Sequence, residues 1–101
     1  MRIYLSKLAE SKLIQLTNHL LEEWNVKVRD DFINKLTDKL NQISSYPKSC
    51  PQSDNFSGLF KCVVSKQTTL YYRIHVEKQE IEIITFFDSK QNPDELKKEI
   101  I

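Results

Sequence analysis

The sequence predicts an α+β fold in which a hairpin of two helices packs on one face of an antiparallel β-sheet. Residues 7 to 45 carry apolar side chains at three- and four-residue spacings, the pattern of amphipathic helices. After residue 58, apolar and polar side chains alternate in short segments, the pattern of half-buried strands. With a short strand before the helices, the predicted order is β-α-α-β-β-β, followed by a short C-terminal helix.

The chain opens with a short strand and a long helix. Residues 2 to 5 are predicted as the strand, because Ile3 and Leu5 share one face. Ser6 is a residue type that caps helices, and the helix is expected from Lys7 to about Glu23. Its apolar residues at helical spacing are Leu8, Leu13, Leu16, Leu20 and Trp24.

A second helix follows almost at once. Asn25 interrupts the first pattern and can cap a helix from about Val26 to Ser45, which Pro47 ends. Its main apolar stripe consists of Val28, Phe32, Leu36, Leu40 and Ile43. Two such helices joined by a tight turn need a shared apolar partner, and we expect the strands to supply it.

Three strands and a last helix complete the chain. Residues 46 to 58 contain the only glycine and several turn-forming residues, so we expect a loop. The strands are predicted at Leu59–Ser65, Leu70–Val76 and Ile81–Phe87, with links of hairpin length between them. Pro93 suits the first position of a helix that runs to about Ile101.

Alternation along the strands predicts one buried and one open sheet face. The residues expected in the core are Phe60, Cys62, Val64, Leu70, Tyr72, Ile74 and Val76. The open face would then carry Lys61, Arg73 and His75, beside Tyr71. We expect functional residues on this open face.

Length and charge limit the function classes. The 101 residues and 12.0 kDa suit a single domain spanning residues 1–101 with one hydrophobic core. A net charge of +1 and a pI near 7.7 lack the basic excess typical of nucleic-acid-binding domains. The chain shows no signal-peptide pattern and no apolar run long enough for a membrane span, so we expect a cytoplasmic protein that does not bind membranes.

The cysteines and histidines do not predict a metal or cofactor site. Cys50 and Cys62 form no CxxC pair, and His19 and His75 are not spaced as ligands beside them. We expect both thiols to be reduced and structural, as in a cytosolic protein. Neither a metal nor a cofactor is predicted.

Cationic and polar residues are the candidates for a site. Lys61, Arg73 and Lys90 could hold a phosphate backbone or an acidic partner segment, although solvated sheet faces carry such residues without function. His75 could serve as a general acid or base, or could be simply solvated. The polar segment from residue 88 to 92 could form a contact edge, or a turn that caps the following helix.

Three patches together resemble the RelE/ParE superfamily of bacterial type II toxins. They read "IYLSKLAESKL", "F..CVVSKQTTLYYRI" and "EIEIITFFDSKQNP", and they cover nearly the whole chain. The segments "KQTTLYYRI" and "FFDSKQNP" are most similar to the ParE-type, plasmid-stabilisation branch. The resemblance implies a compact toxin that is neutralised by a cognate antitoxin, whose extended or helical segment wraps the helix hairpin and the sheet.

The superfamily divides by activity, and the resemblance bears on which branch applies. RelE-like members cut messenger RNA on the ribosome with basic residues on the middle strands and after the last strand, whereas ParE-like members inhibit DNA gyrase. Lys90 matches a basic position, but the positions around Val64 and Thr69 are not basic, and Leu96 stands where a late Tyr or His would fall. We therefore expect a ParE-like toxin. The partner contacts are expected from Lys61, Tyr71, Arg73, Lys90, Gln91 and Asn92.

Two alternatives stay open at this point. The first is a ribosome-dependent mRNA interferase, an endoribonuclease whose site would use Lys61, Arg73, His75 and Lys90. The second is a degenerate toxin that persists only as a binding partner.

Overall fold

The protein forms a four-stranded sheet with two long helices on one face. The computed structural model describes residues 1–88 and 93–100, with the backbone alone for residues 93, 94, 96 and 100. Its elements are β1 (Arg2–Leu5), α1 (Lys7–Glu23), α2 (Val26–Ser45), β2 (Phe60–Val63), β3 (Thr68–His75), β4 (Glu80–Asp88) and α3 (Pro93–Ile100). The predicted order of elements is confirmed.

Both predicted helix caps are present. The Ser6 side chain accepts a hydrogen bond from the backbone N–H of Ala9 at 3.0 Å, and Asn25 accepts one from Val28 at 2.9 Å. Because these side chains satisfy amides that have no partner within the helix, α1 and α2 begin where the sequence predicts. Within residues 1–88 and 93–100, no helix is long and apolar enough to cross a membrane.

The sheet has the order β1-β4-β3-β2. The pairs β2–β3 and β3–β4 are antiparallel, as hairpin-length links require, but β1 lies parallel to β4. Ile3 stands opposite Ile81, and Leu5 stands opposite Ile83. A parallel neighbour needs a long crossover connection, and the α1–α2 hairpin starts that connection.

The main core lies between the helices and the sheet. Its buried members include Ala9, Phe32, Leu36, Ile43, Phe60, Cys62, Val64, Leu70, Tyr72, Ile81, Ile83 and Phe86. Alternation therefore predicts the core positions of β2 and the first half of β3 correctly. Val76 is an exception and is 63% exposed, because β3 ends at His75 and the chain turns into a short 3-10 helix.

The second sheet face, here called the outer face, is only partly open. Tyr71 pairs with Thr85 and Tyr72 pairs with Ile83, so Ile84 is the extra residue of a β-bulge. A second buried cluster results, consisting of Leu59, Tyr71 and Ile84 with Phe56 and Phe87 packed against it. The outer face carries Lys61, Arg73 and His75 as expected, but the part around Tyr71 and the bulge at Ile84 is buried and not open.

Candidate partner-binding face

The outer face brings together three of the residues predicted as a site. Lys61 is exposed on β2, opposite Tyr71 of β3. Arg73 and His75 follow Tyr71 at alternate positions of the same strand, and both are half-buried. Alternation of side chains along β3 is therefore sufficient to place Lys61, Arg73 and His75 on one face.

His75 is held by two neighbours. Its Nε2 atom lies 2.9 Å from Oε1 of Glu82. Its ring stacks on Tyr4 of β1, with the ring centroids 6.5 Å apart and the planes 18° from parallel. Glu82 also stands directly opposite Arg73 on the neighbouring strand, so one carboxylate lies among two basic side chains and a phenol.

A second ion pair lies beside these residues, between β1 and β4. Arg2 of β1 pairs with Glu80 of β4. We call the six residues on these strands the ionic patch: Arg2, Tyr4, Arg73, His75, Glu80 and Glu82. Its two arginines are matched by two glutamates, and burial and then the two carboxylates raise the pKa of the Tyr4 phenol. The patch therefore combines charge and aromatic surface without a net charge while His75 is neutral.

Tyr71 lies beneath the outer face. It is only 5% exposed, and its ring meets Phe56 edge-on with the centroids 6.4 Å apart. Burial raises the pKa of its phenol. Of the predicted contact residues, Tyr71 is therefore buried beneath the outer face, whereas Lys61 is exposed on the neighbouring strand β2.

The other predicted contacts, Lys90, Gln91 and Asn92, lie outside the described residues. The helix that follows them, α3, returns to the sheet through Glu99. Its carboxylate pairs with Lys12 of α1 and accepts a hydrogen bond from Oγ1 of the buried Thr85 at 3.3 Å. Lys12 also donates to the backbone oxygen of Phe86 at 3.2 Å. These contacts join α1, β4 and α3.

A groove on the other side of the molecule was not predicted. It has a volume of about 420 Å³ and lies between the helix hairpin and the β2–β3 turn. We call it the hairpin groove; its residues include Leu16, Leu20, Trp24, Val28, Phe32, Lys35, Lys66 and Gln67. The Trp24 side chain is 69% exposed at its rim. The sequence feature that could have indicated this groove is Trp24, which directly follows the last residue of α1 and so need not point toward the core as the helical apolar residues do.

The described residues hold no cluster of three or more His, Cys, Asp or Glu side chains arranged as metal ligands. What the outer face offers chemically is a carboxylate–imidazole pair, two arginines and surface aromatic groups. Such a set can act in recognition of a partner or in proton transfer.

Comparison with known proteins places the chain in a family. The family model described as the ParE toxin of the type II toxin–antitoxin system, parDE, matches residues 3–93. Among curated protein sequences, no significant match was found.

Solved structures show the same fold at low sequence identity. A chain of the chromosomal ParDE system from P. aeruginosa superposes with a TM-score of 0.72 at 10% identity, over 87% of this chain and 95% of that one. A chain of the intact E. coli RelBE toxin–antitoxin complex gives 0.61 at 15% identity, over 89% and 98%. The YoeB/ParE toxin from Agrobacterium tumefaciens gives 0.62 at 12% identity, over 87% and 98%. Since the family match spans most of its length, the chain belongs to the ParE toxin family of type II toxin–antitoxin systems.

Proposed function

We propose that this chain is a ParE-like toxin that acts in the cytoplasm by binding a protein target, DNA gyrase, and that its cognate antitoxin holds it inactive. Family membership supports the class. The observation that supports protein binding over RNA cleavage is the position of Glu82, which lies 2.9 Å from His75 and opposite Arg73.

A nuclease site has different electrostatic needs. It must attract a polyanion and stabilise the extra negative charge that develops on the phosphoryl oxygens in the transition state. In the ionic patch, Glu80 and Glu82 offset Arg2 and Arg73. Carboxylates this close to the cations repel phosphate groups and weaken any such stabilisation.

The same chemistry suits a protein partner. Protein interfaces are enriched in tyrosine and arginine, and their rims carry paired charges that determine orientation. Tyr4 and Arg73 belong to these classes, and Val63 adds apolar surface, being 57% exposed on the edge strand β2. We expect the target to contact the ionic patch and the adjoining Lys61.

The hairpin groove supports a role in antitoxin binding. It has an apolar floor, an exposed tryptophan at its rim, and charges of both signs from Asp31, Lys35 and Lys66. Grooves of this kind accept one face of an amphipathic helix. Trp24 is the natural anchor, because large aromatic side chains dominate the energetics of such contacts.

The gyrase proposal is tested with the toxin purified free of antitoxin. We expect it to inhibit negative supercoiling by gyrase at micromolar concentration, and Arg73→Ala to weaken that inhibition at least tenfold. Lys27→Ala removes an exposed charge at the start of α2 and serves as the matched control. Full supercoiling in the presence of folded wild-type toxin would exclude gyrase as the target.

One observation favours the mRNA interferase as a second candidate. His75 and Glu82 form a pair capable of proton transfer, and Arg73 is adjacent. Primer extension on translated messages would then show cuts that disappear with Arg73→Ala and Lys90→Ala. Growth arrest on expression distinguishes either active toxin from a degenerate one, which would not slow growth.

A further inference from the structure

The loop before β2 pairs with the edge of that strand. The pairing consists of one antiparallel bridge and two hydrogen bonds: Gln52 opposite Phe60, Ser53 N–H to Leu59 O at 2.8 Å, and Lys61 N–H to Pro51 O at 2.9 Å. In an antiparallel ladder each step forward on one strand is a step backward on the other. Continuing this pairing by one residue past Pro51 and Lys61 places Cys50 opposite Cys62.

This pair occupies a position compatible with a disulfide. Hydrogen-bonded and non-hydrogen-bonded pairs alternate along the ladder, so the pair next to Lys61 and Pro51 is non-hydrogen-bonded. In such pairs the Cα atoms are about 4.5 Å apart, and disulfides span Cα separations of about 4.4–6.8 Å. The two side chains are close enough that Cys50 contributes to the raised pKa of Cys62.

The surroundings make the pair reachable by small molecules. Both thiols are buried, at 6% and 2% exposure, but both line a cavity of about 560 Å³ that Lys39 and Lys61 also border. Burial, and then the contact with Cys50, raise the pKa of Cys62 to about 12, while Lys39 opposes the rise. Cys62 is therefore protonated at neutral pH and must give up its proton when it reacts.

We propose that Cys50 and Cys62 are a redox modification site that forms a reversible cross-strand disulfide with a low-molecular-weight disulfide as oxidant. Cys50 gives up its proton and attacks one sulfur of the oxidant, and the sulfur that leaves takes up a proton as the first small thiol. Cys62 gives up its proton and attacks the Cys50 sulfur, releasing the second small thiol. Two electrons and two protons pass from the protein to the oxidant, which leaves as two thiols. This inference is independent of the toxin's target.

The disulfide would restrain the segment between Cys50 and Cys62, which lies beside the outer face. The loop that it closes carries Phe56, which packs on Tyr71 of the outer face, and it includes Lys61. Closing a loop of this length restricts the unfolded chain, so we expect the oxidised protein to melt about 10 °C higher than the reduced protein.

The test treats the reduced full-length protein with oxidised glutathione. Intact mass spectrometry should show a loss of about 2 Da, and peptide mapping should join Cys50 to Cys62. Cys62→Ser should instead accumulate a glutathione adduct on Cys50, and Cys50→Ser should not lose the two hydrogens. Circular dichroism checks that each variant folds.

Burial could prevent the oxidant from reaching the thiols in the folded protein, so a second measurement starts from the unfolded chain. The wild-type chain is refolded from urea in a glutathione redox buffer, which lets the thiols react before the core closes. Two free thiols in the refolded protein, measured by alkylation, would overturn the proposal. Stable glutathione adducts on wild-type protein without the internal bond would overturn it as well.

Discussion

At the scale of single residues, Glu82 determines the charge character of the outer face. Its side chain is 22% exposed and lies 2.9 Å from Nε2 of His75, with Arg73 opposite and Tyr4 on the other neighbouring strand. Partial burial strengthens its effect, because the interaction is screened less than at a fully exposed site. Removing this one charge should therefore convert a neutral patch into a cationic one.

We expect Glu82→Gln to raise the affinity of the protein for single-stranded RNA several-fold at low salt, since fewer carboxylates then repel the phosphates. Filter binding at two salt concentrations measures the effect, and the gain should shrink at high salt. Glu77→Gln makes the same change of net charge on the exposed 3-10 turn. An equal gain in both variants would show that net charge, not the position of Glu82, is responsible.

The raised pKa of Tyr71 predicts that the free energy of unfolding decreases at alkaline pH. Burial raises its pKa above the ordinary value of 10.0, so above about pH 10 the unfolded chain releases a proton that the folded chain retains. The stabilising contribution is complete below pH 10 and is lost as the pH rises through the folded-state pKa. Urea unfolding under reducing conditions at about pH 9 and pH 11 should show the decrease.

Tyr71→Phe should lessen this pH dependence, because one titrating group is gone while the apolar ring remains; Tyr72, whose pKa burial also raises, continues to contribute. Tyr46→Phe is the control, since Tyr46 is 70% exposed. If Tyr71→Phe and wild type lose the same free energy of unfolding over that pH range, other groups cause the alkaline loss.

At the scale of elements, Ser6 joins α1 to the sheet. Its Oγ accepts from the Ala9 N–H at 3.0 Å and donates to the backbone oxygen of Ile84 at 2.7 Å. Ser6→Ala removes a helix cap and leaves a bulge carbonyl without this donor, so we expect a loss of about 2 kcal/mol in the free energy of unfolding. Urea denaturation measures it. Ser11→Ala, at an exposed position of α1, should change stability by less than about 0.5 kcal/mol.

Features that depend on neighbouring residues in the chain could be predicted from the sequence. Features that depend on contacts between distant segments could not. Ser6 and Asn25 mark the starts of the helices, because caps act within one turn. The parallel pairing of β1 and the bulge at Ile84 depend on contacts between distant segments. No local pattern encodes them.

The same division holds for the candidate site. Alternation along β3 is enough to put Arg73 and His75 on one face. The pairing of His75 with Glu82 depends on cross-strand register, which the bulge shifts. The hairpin groove depends on how the helices sit against the β2–β3 turn.

At the scale of the whole molecule, the two proposed binding regions lie at opposite ends of β3. The hairpin groove includes Thr68 at the start of the strand, and the ionic patch includes His75 at its end. A strand rises about 3.3 Å per residue, which separates these ends by roughly 23 Å. An antitoxin segment anchored in the groove therefore needs several more extended residues to cover the ionic patch, so anchoring and inhibition are separable.

Trp24→Ala tests that separation. Because Trp24 is 69% exposed, its truncation should leave the fold and the inhibition of gyrase unchanged. We expect the affinity for the cognate antitoxin to fall roughly 30-fold, the loss of an aromatic anchor worth about 2 kcal/mol. Titration calorimetry measures the affinity, and Tyr46→Ala removes an equally exposed aromatic side chain at the far end of α2. Unchanged antitoxin affinity in Trp24→Ala would remove the groove as the anchor, and lost gyrase inhibition would show that the two regions are not independent.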